Sequence, residues 1–144
     1  MDDLVCLDLE GTLISNAVSQ IPRPGLREFL EEVKTLADVI LYTSVSPKRT
    51  EEIKKLLVSE GCAPGWFLSL EVIHPEATIK FKHRVPRYSE YQRVFLVDDQ
   101  IEVIAKDEKD WWVPVGEYVS PYPPDDCELA SVALQIEKRL SDKD

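Results

Sequence analysis

Six residues near the amino terminus, Asp8-Leu9-Glu10-Gly11-Thr12-Leu13, are the chain's densest concentration of potential chemistry. They follow the apolar run Leu4-Val5-Cys6-Leu7, which reads as a buried strand bounded by a turn. Asp8 therefore stands at the carboxyl end of a strand, the edge where open α/β sheets bind ligands. Three other places offer side chains that can work with it. Val97-Asp98-Asp99 sets adjacent carboxylates where a strand gives way to a loop. Alone such a pair is a solvated turn or helix cap; beside Asp8 it makes an oxygen-rich pocket suited to a hard cation such as Mg2+. Thr43-Ser44 ends another strand just ahead of a helix that starts at Pro47. Turn chemistry is the plainer reading, but such an end also offers hydroxyls and amides to an anionic oxygen. Lys82 closes the alternating segment Ile79-Lys80-Phe81-Lys82. By itself it is a solvated lysine, yet a cluster of acids around a phosphate needs a cationic partner.

The elements that must position these groups alternate between strand and helix, the pattern of a parallel sheet with crossover helices. After a polar loop, Ile14 to Pro22, Pro24 suits the first turn of a helix whose apolar face is Leu26, Phe29, Leu30, Val33 and Leu36. Asp38 to Thr43 reads as a second buried strand, and Ser46-Pro47 as the cap and first residue of a helix with Ile53, Leu56 and Leu57 inward, stopping at Gly61. Residues 66–82 alternate loosely and predict one or two short strands. Arg93 to Val97 is a third central strand, Trp112 to Val115 a fourth, and Pro121 to Pro124 a rigid linker. Asp125 or Asp126 caps a last helix with Leu129, Val132, Ala133, Ile136 and Leu140 inward.

Composition narrows the class. With 144 residues, 44% apolar and 31% charged, the chain can bury a core without staples. No apolar stretch reaches membrane-spanning length, and Met1-Asp2-Asp3 is unlike a secretory signal. Cys6, Cys62 and Cys127 have no metal-ligand spacing and predict reduced thiols in a cytoplasmic protein. The net charge of −10 argues against nucleic acid as a partner. His74 and His83 read as surface residues; of Trp111-Trp112, one ring is expected in the core and one at the rim.

Taken in order, the acid motif, Thr/Ser, a lysine and paired acids each fall at a strand end. That order resembles the four motifs of the haloacid dehalogenase (HAD) superfamily, mostly magnesium-dependent phosphatases with the nucleophile motif D-x-D-G-T-L. The closer resemblance is to the branch of NLI-interacting-factor-like phosphatases, typified by those acting on the RNA polymerase II C-terminal domain (CTD). Members read D-L-D-E-T-L, then R-P-G before a helix, then a strand ending F-T-A-S. This chain reads Asp8-Leu9-Glu10-Gly11-Thr12-Leu13, Arg23-Pro24-Gly25-Leu26 and Leu41-Tyr42-Thr43-Ser44. The branch's spacing, counted back from Asp98, lands on Lys82 rather than Lys80. The resemblance spans Leu4 to Leu140. It implies one domain over 1–144 with an α/β, Rossmann-like HAD core: a central parallel sheet, helices on both faces and no large cap domain.

The resemblance also implies the chemistry. Mg2+ would be held by Asp8, the Asp98-Asp99 pair (Asp99 directly, Asp98 in support) and the backbone carbonyl of Glu10. Asp8 would attack phosphorus to give an aspartyl phosphate, with Lys82, Thr43 and Ser44 binding phosphoryl oxygens. Glu10 would protonate the leaving oxygen and then activate water. Family members use aspartate there, and glutamate adds a methylene, so a degenerate site that only binds is the alternative reading. A relative in mitochondrial protein import serves mainly as a receptor on this fold. A phosphate-receiver domain is set aside, because its acidic pair follows the first strand. The nine residues between Leu13 and Arg23 leave no room for a cap. An open site suits a macromolecular substrate such as a phosphopeptide, or needs an oligomer partner to cover it.

Overall fold

The computed structural model describes residues 1–142. Five strands form one parallel sheet: β1 (Asp3–Leu7), β2 (Asp38–Tyr42), β3 (Val72–Ile73), β4 (Arg93–Asp98) and β5 (Trp112–Pro114), in spatial order β3-β2-β1-β4-β5. The hydrophobic run 4–7 takes the centre because both its faces can be buried, as a central parallel strand requires. Leu7 pairs with Leu41 on one side and Val97 on the other. The common direction of the strands then delivers Asp8, Thr43 and Asp98 to one edge, so the topology itself gathers residues that lie far apart in sequence.

The described residues form three α-helices, α1 (Leu26–Leu36), α2 (Pro47–Ser59) and α3 (Glu128–Ser141). All pack on one face. Their buried side chains, among them Phe29, Leu30, Val33, Ile53, Leu57, Leu129, Val132 and Ile136, meet Val5, Leu7, Val39, Leu41, Phe95 and Val97. Each such burial stabilises the fold by roughly 1.5–3 kcal/mol. On the opposite face Leu4, Cys6, Ile40, Tyr42, Val94 and Leu96 lie under Val85, Ile104 and Trp111. Helical cover there is made of 3-10 turns, at Lys82–Arg84, Tyr88–Glu90, Ile101–Val103 and Lys109–Trp111.

Local chemistry explains the boundaries. Gly25, at φ 79°, turns the chain into α1, so the helix begins at Leu26 and not at Pro24. Ser46 Oγ accepts the Arg49 amide and Pro47 opens α2. Cys127 holds the cap position of α3, while Asp126 Oδ1 accepts the Glu128 amide beside it. The strands expected over 66–82 shrink to the two residues of β3, preceded by a 3-10 turn at Gly65–Ser69 that buries Phe67 and leaves Leu68 exposed. Pro75 and the bend at 76–78 end any ladder beyond β3. Trp111 is in the core and Trp112 half-buried. The cysteines are free thiols, and among the described residues no helix is long and apolar enough to cross a membrane.

Candidate active site

Asp8 leaves β1 with its backbone still tied to the sheet, its N–H donating to the Val97 carbonyl at 3.0 Å. Its carboxylate is buried and held from two sides. Thr12 Oγ1 donates to Asp8 Oδ2 at 2.9 Å and lies 3.2 Å from Asp99 Oδ1. Lys80 Nζ donates to Asp8 Oδ1 at 2.8 Å and to Asp98 Oδ2 at 2.6 Å. Asp8, Asp98 and Asp99 each offer an oxygen within 4.8 Å of the others.

Gly11 is what allows Asp99 so close. It sits at φ 75°, and a Cβ there would collide with Asp99 Oδ2. A side chain at position 11 would thus be strained in its backbone and displace a site carboxylate. Asp98 is fixed at both ends. Its Oδ1 accepts the Gln100 amide at 3.0 Å, and its carbonyl accepts Trp112 Nε1–H at 2.9 Å.

The lysine that reaches the acids is Lys80, which corrects the sequence expectation of Lys82. Lys80 is buried among the carboxylates, its amide bonded to the Val103 carbonyl at 2.8 Å and its ammonium 5.9 Å from the Tyr42 ring centre. Tyr42 OH also holds the Phe81 carbonyl at 3.0 Å, pinning the same stretch. Lys82 opens a 3-10 turn, half-buried, and its amide donates to Glu108 Oε1. The chain between this lysine and Asp98 holds two 3-10 turns, Lys82–Arg84 and Tyr88–Glu90, and runs two residues longer than the branch's spacing implied.

Burial and crowding set the electrostatics. Desolvation pushes the Asp8 carboxyl up to about 7 against the pull of Lys80, with the neighbouring Asp99 carboxylate adding to the rise. Asp98 rises to about 6, through burial and then the Asp8 charge. Asp99 is also raised, chiefly by burial. Desolvation works against the Lys80 ammonium, but Asp8 and Asp98 outweigh it and hold its pKa above the ordinary value. One ammonium faces three carboxylates, so the cluster is under-neutralised. Hard oxygen donors with unrelieved negative charge are what Mg2+ requires, and the residues present fit it.

The remaining expected residues divide. Glu10, Ser44, Ala77, Thr78, Lys80 and Gln100 join Asp8 and Asp98 around a cavity of about 310 Å³. The Glu10 carboxylate stands outside the three-acid cluster, with Oε2 accepting the Ala17 amide at 2.6 Å. Ser44 is exposed at the mouth. Thr43 is buried, its Oγ1 accepting the Val45 amide at 3.1 Å and its carbonyl 2.8 Å from His74 Nδ1. That contact makes Nδ1 the protonated nitrogen of His74, a half-buried brace rather than a surface residue. Thr12, Lys80, His74 and Trp112 are participants to which the sequence reading gives no part in the site: it sets Lys80 behind Lys82, and places His74 at the surface and Trp112 at the rim or in the core. Thr12 lies within the acid motif, four residues beyond Asp8.

The parallel α/β sheet carries an aspartate-lysine-aspartate cluster at its carboxyl edge, the arrangement that the resemblance to the HAD fold implied. Residues 3–144 match the family model of NLI interacting factor-like phosphatases, and the chain belongs to that family. A solved structure of the fission yeast RNA polymerase II CTD phosphatase Fcp1, in a variant bound to beryllium fluoride, shares the fold with a TM-score of 0.53 at 14% identity. The alignment covers 94% of this chain and 50% of that one, so the chain spans half the length of that neighbour. No curated protein matches the chain.

Proposed function

We propose that the chain is a Mg2+-dependent phosphomonoester hydrolase working through an aspartyl phosphate on Asp8, with a phosphorylated protein segment as substrate. The observation that carries this reading is the buried Asp8 carboxylate, gripped by Lys80 and Thr12 beside Asp98 and Asp99 at the floor of an open cavity. Asp8, Asp98, Asp99 and the Glu10 backbone carbonyl would hold the cation, which when bound offsets the charge of phosphate and carboxylates alike.

Lys80 favours the anionic form of Asp8 against the cost of its burial and offers its remaining N–H to a phosphoryl oxygen. Thr12 orients the carboxylate so that one oxygen faces the incoming phosphorus. Asp8 forms a bond to phosphorus as the ester P–O bond breaks, and Glu10 gives the departing oxygen its proton. Glu10, now a carboxylate, then takes a proton from water, which attacks phosphorus and releases Asp8. Ser44 and the amides ahead of α2 would receive another phosphoryl oxygen.

A second reading, a phosphopeptide-binding module without turnover, is favoured by the Ala17 amide that occupies Glu10 Oε2. One assay separates the two. With Mg2+, an aryl and an alkyl phosphate should both turn over. Asp8→Asn should abolish both activities, and Glu10→Gln should damage the alkyl ester more, because an alkoxide needs a proton to leave. Turnover equal in wild type and Asp8→Asn, or none in either, would leave the binding module standing.

A further inference from the structure

Two tryptophans stand side by side where the chain enters β5, and they use their indole N–H groups differently. Trp111 is buried and meets Tyr42 edge-on, with ring centres 6.5 Å apart. Its Nε1 has no hydrogen-bond partner among the described residues, so its role is packing. Trp112 is half-buried, and its Nε1–H donates to the Asp98 carbonyl at 2.9 Å. A buried indole N–H normally seeks an acceptor. Here the more exposed ring has one, and the acceptor belongs to the acid cluster.

The register shows how Trp112 reaches that carbonyl. β5 runs parallel to β4 with Trp112 opposite Leu96, so the indole spans two residues along β4 towards the carboxyl edge. Its main chain is anchored in turn. The Trp112 carbonyl accepts Arg139 Nη1 at 2.9 Å, and that guanidinium lies 5.6 Å from the centre of the Phe95 ring. Helix α3 thus holds the tryptophan, and the tryptophan holds Asp98.

The bond acts on the peptide between Asp98 and Asp99. β4 ends at Asp98, so the direction of Asp99 depends on how that peptide is turned. The contacts of Asp98 with Lys80 and the Gln100 amide fix its carboxylate, whereas Trp112 takes the carbonyl. We infer that Trp112 is a positioning residue of the acid cluster: by fixing the Asp98–Asp99 peptide it sets the angle at which Asp99 meets Asp8, and with it the fit of the cluster to Mg2+. This rests on the reading of the three acids as a cation site. Trp112 touches neither substrate nor cation.

The metals themselves supply the test. Mg2+ demands near-octahedral oxygen geometry, whereas Ca2+ accepts irregular sets, so misplacing one ligand should cost Mg2+ more. Titration calorimetry with MgCl2 and with CaCl2 compares the wild type, Trp112→Phe and Trp111→Phe. Phenylalanine keeps an aromatic ring on the sheet and removes only the N–H bond. Trp112→Phe should bind Mg2+ at least about tenfold more weakly, the usual scale for losing the partner behind a metal ligand. Its Ca2+ affinity should fall by no more than about threefold. Trp111→Phe gives up an N–H that bonds to nothing, and should keep both affinities within about twofold. A measurement on the unaltered chain stands beside the variants. In NMR spectra of the wild type, saturating Mg2+ should move the Trp112 indole N–H signal and leave that of Trp111 in place.

Unchanged Mg2+ affinity in Trp112→Phe, or equal losses for Mg2+ and Ca2+, would overturn the inference and leave the cation site standing. So would an equal loss in Trp111→Phe, or a Trp112 signal that Mg2+ does not move. No Mg2+ binding by the wild type at millimolar concentration would defeat the cation site, and this inference with it.

Discussion

Lys80 stands between two carboxylates that would otherwise repel each other, and its geometry gives it a different weight from Lys82, two residues on. A buried ammonium hydrogen-bonded to both Asp8 and Asp98 cannot be removed without leaving their charges uncompensated. Lys80→Ala is expected to reduce turnover of an aryl phosphate by at least about a hundredfold, the usual scale for loss of a site-directed electrostatic partner. Lys82→Ala should stay within about twofold of wild type, since its amide and not its ammonium makes the bond to Glu108. Steady-state kinetics of the two variants side by side decides this, and the reverse order would restore Lys82 to the site. The expectation of Lys82 shows how far the sequence could reach. The acids Asp8, Asp98 and Asp99 were legible because each closes an apolar run. The lysine was not, because it follows Pro75 and a bend, where neither strand nor helix periodicity says which side chain turns inward.

At the scale of elements, the parallel order of β1, β2 and β4 was readable from alternation, and with it the convergence of Asp8, Thr43 and Asp98. The loop that follows β1 was not, because its shape depends on a contact across the whole chain. Arg23 is buried, with Nε and Nη2 bonded to Asp126 Oδ1 and Oδ2 at 2.9 and 3.0 Å. Its Nη1 donates to the carbonyls of Gly11 and Thr12, and its guanidinium lies 5.3 Å from the centre of the Tyr118 ring. The segment before α3 is thereby fastened to the turn that carries Thr12, whose hydroxyl orients Asp8. No pattern within residues 8–23 could disclose a partner at position 126. Asp126→Asn leaves the buried guanidinium without its counter-charge, and should lower unfolding stability by about 3 kcal/mol. A urea titration that gives an unchanged midpoint for this variant would mean that the pair contributes nothing to holding the two segments together.

Across the whole molecule, the site is a place where folding and function pull in opposite directions. Asp8, at about 7, and Asp98, at about 6, both lie above their ordinary value of 3.8, so the native state holds these protons more tightly than the unfolded chain does. Their contribution to stability is therefore fully present below about pH 4 and is lost as pH rises through 6 and 7. Metal-free protein should melt roughly 5 °C lower at pH 8 than at pH 6, and the difference should shrink in the Asp8→Asn, Asp98→Asn double variant. The double variant matters because a chain of net charge −10 also gains stability on acidification simply by losing self-repulsion. At pH 8 without metal, Asp8→Asn alone should melt above the wild type, since it removes one of three carboxylates facing a single ammonium. Adding Mg2+ should reverse that order, because a cation favours the ionised acids and binds only the folded site. Scanning calorimetry at the two pH values, with and without millimolar Mg2+, reads all four conditions. A wild type more stable than Asp8→Asn in the absence of metal at pH 8 would show that Lys80 already satisfies the cluster and leaves no charge for a cation to neutralise.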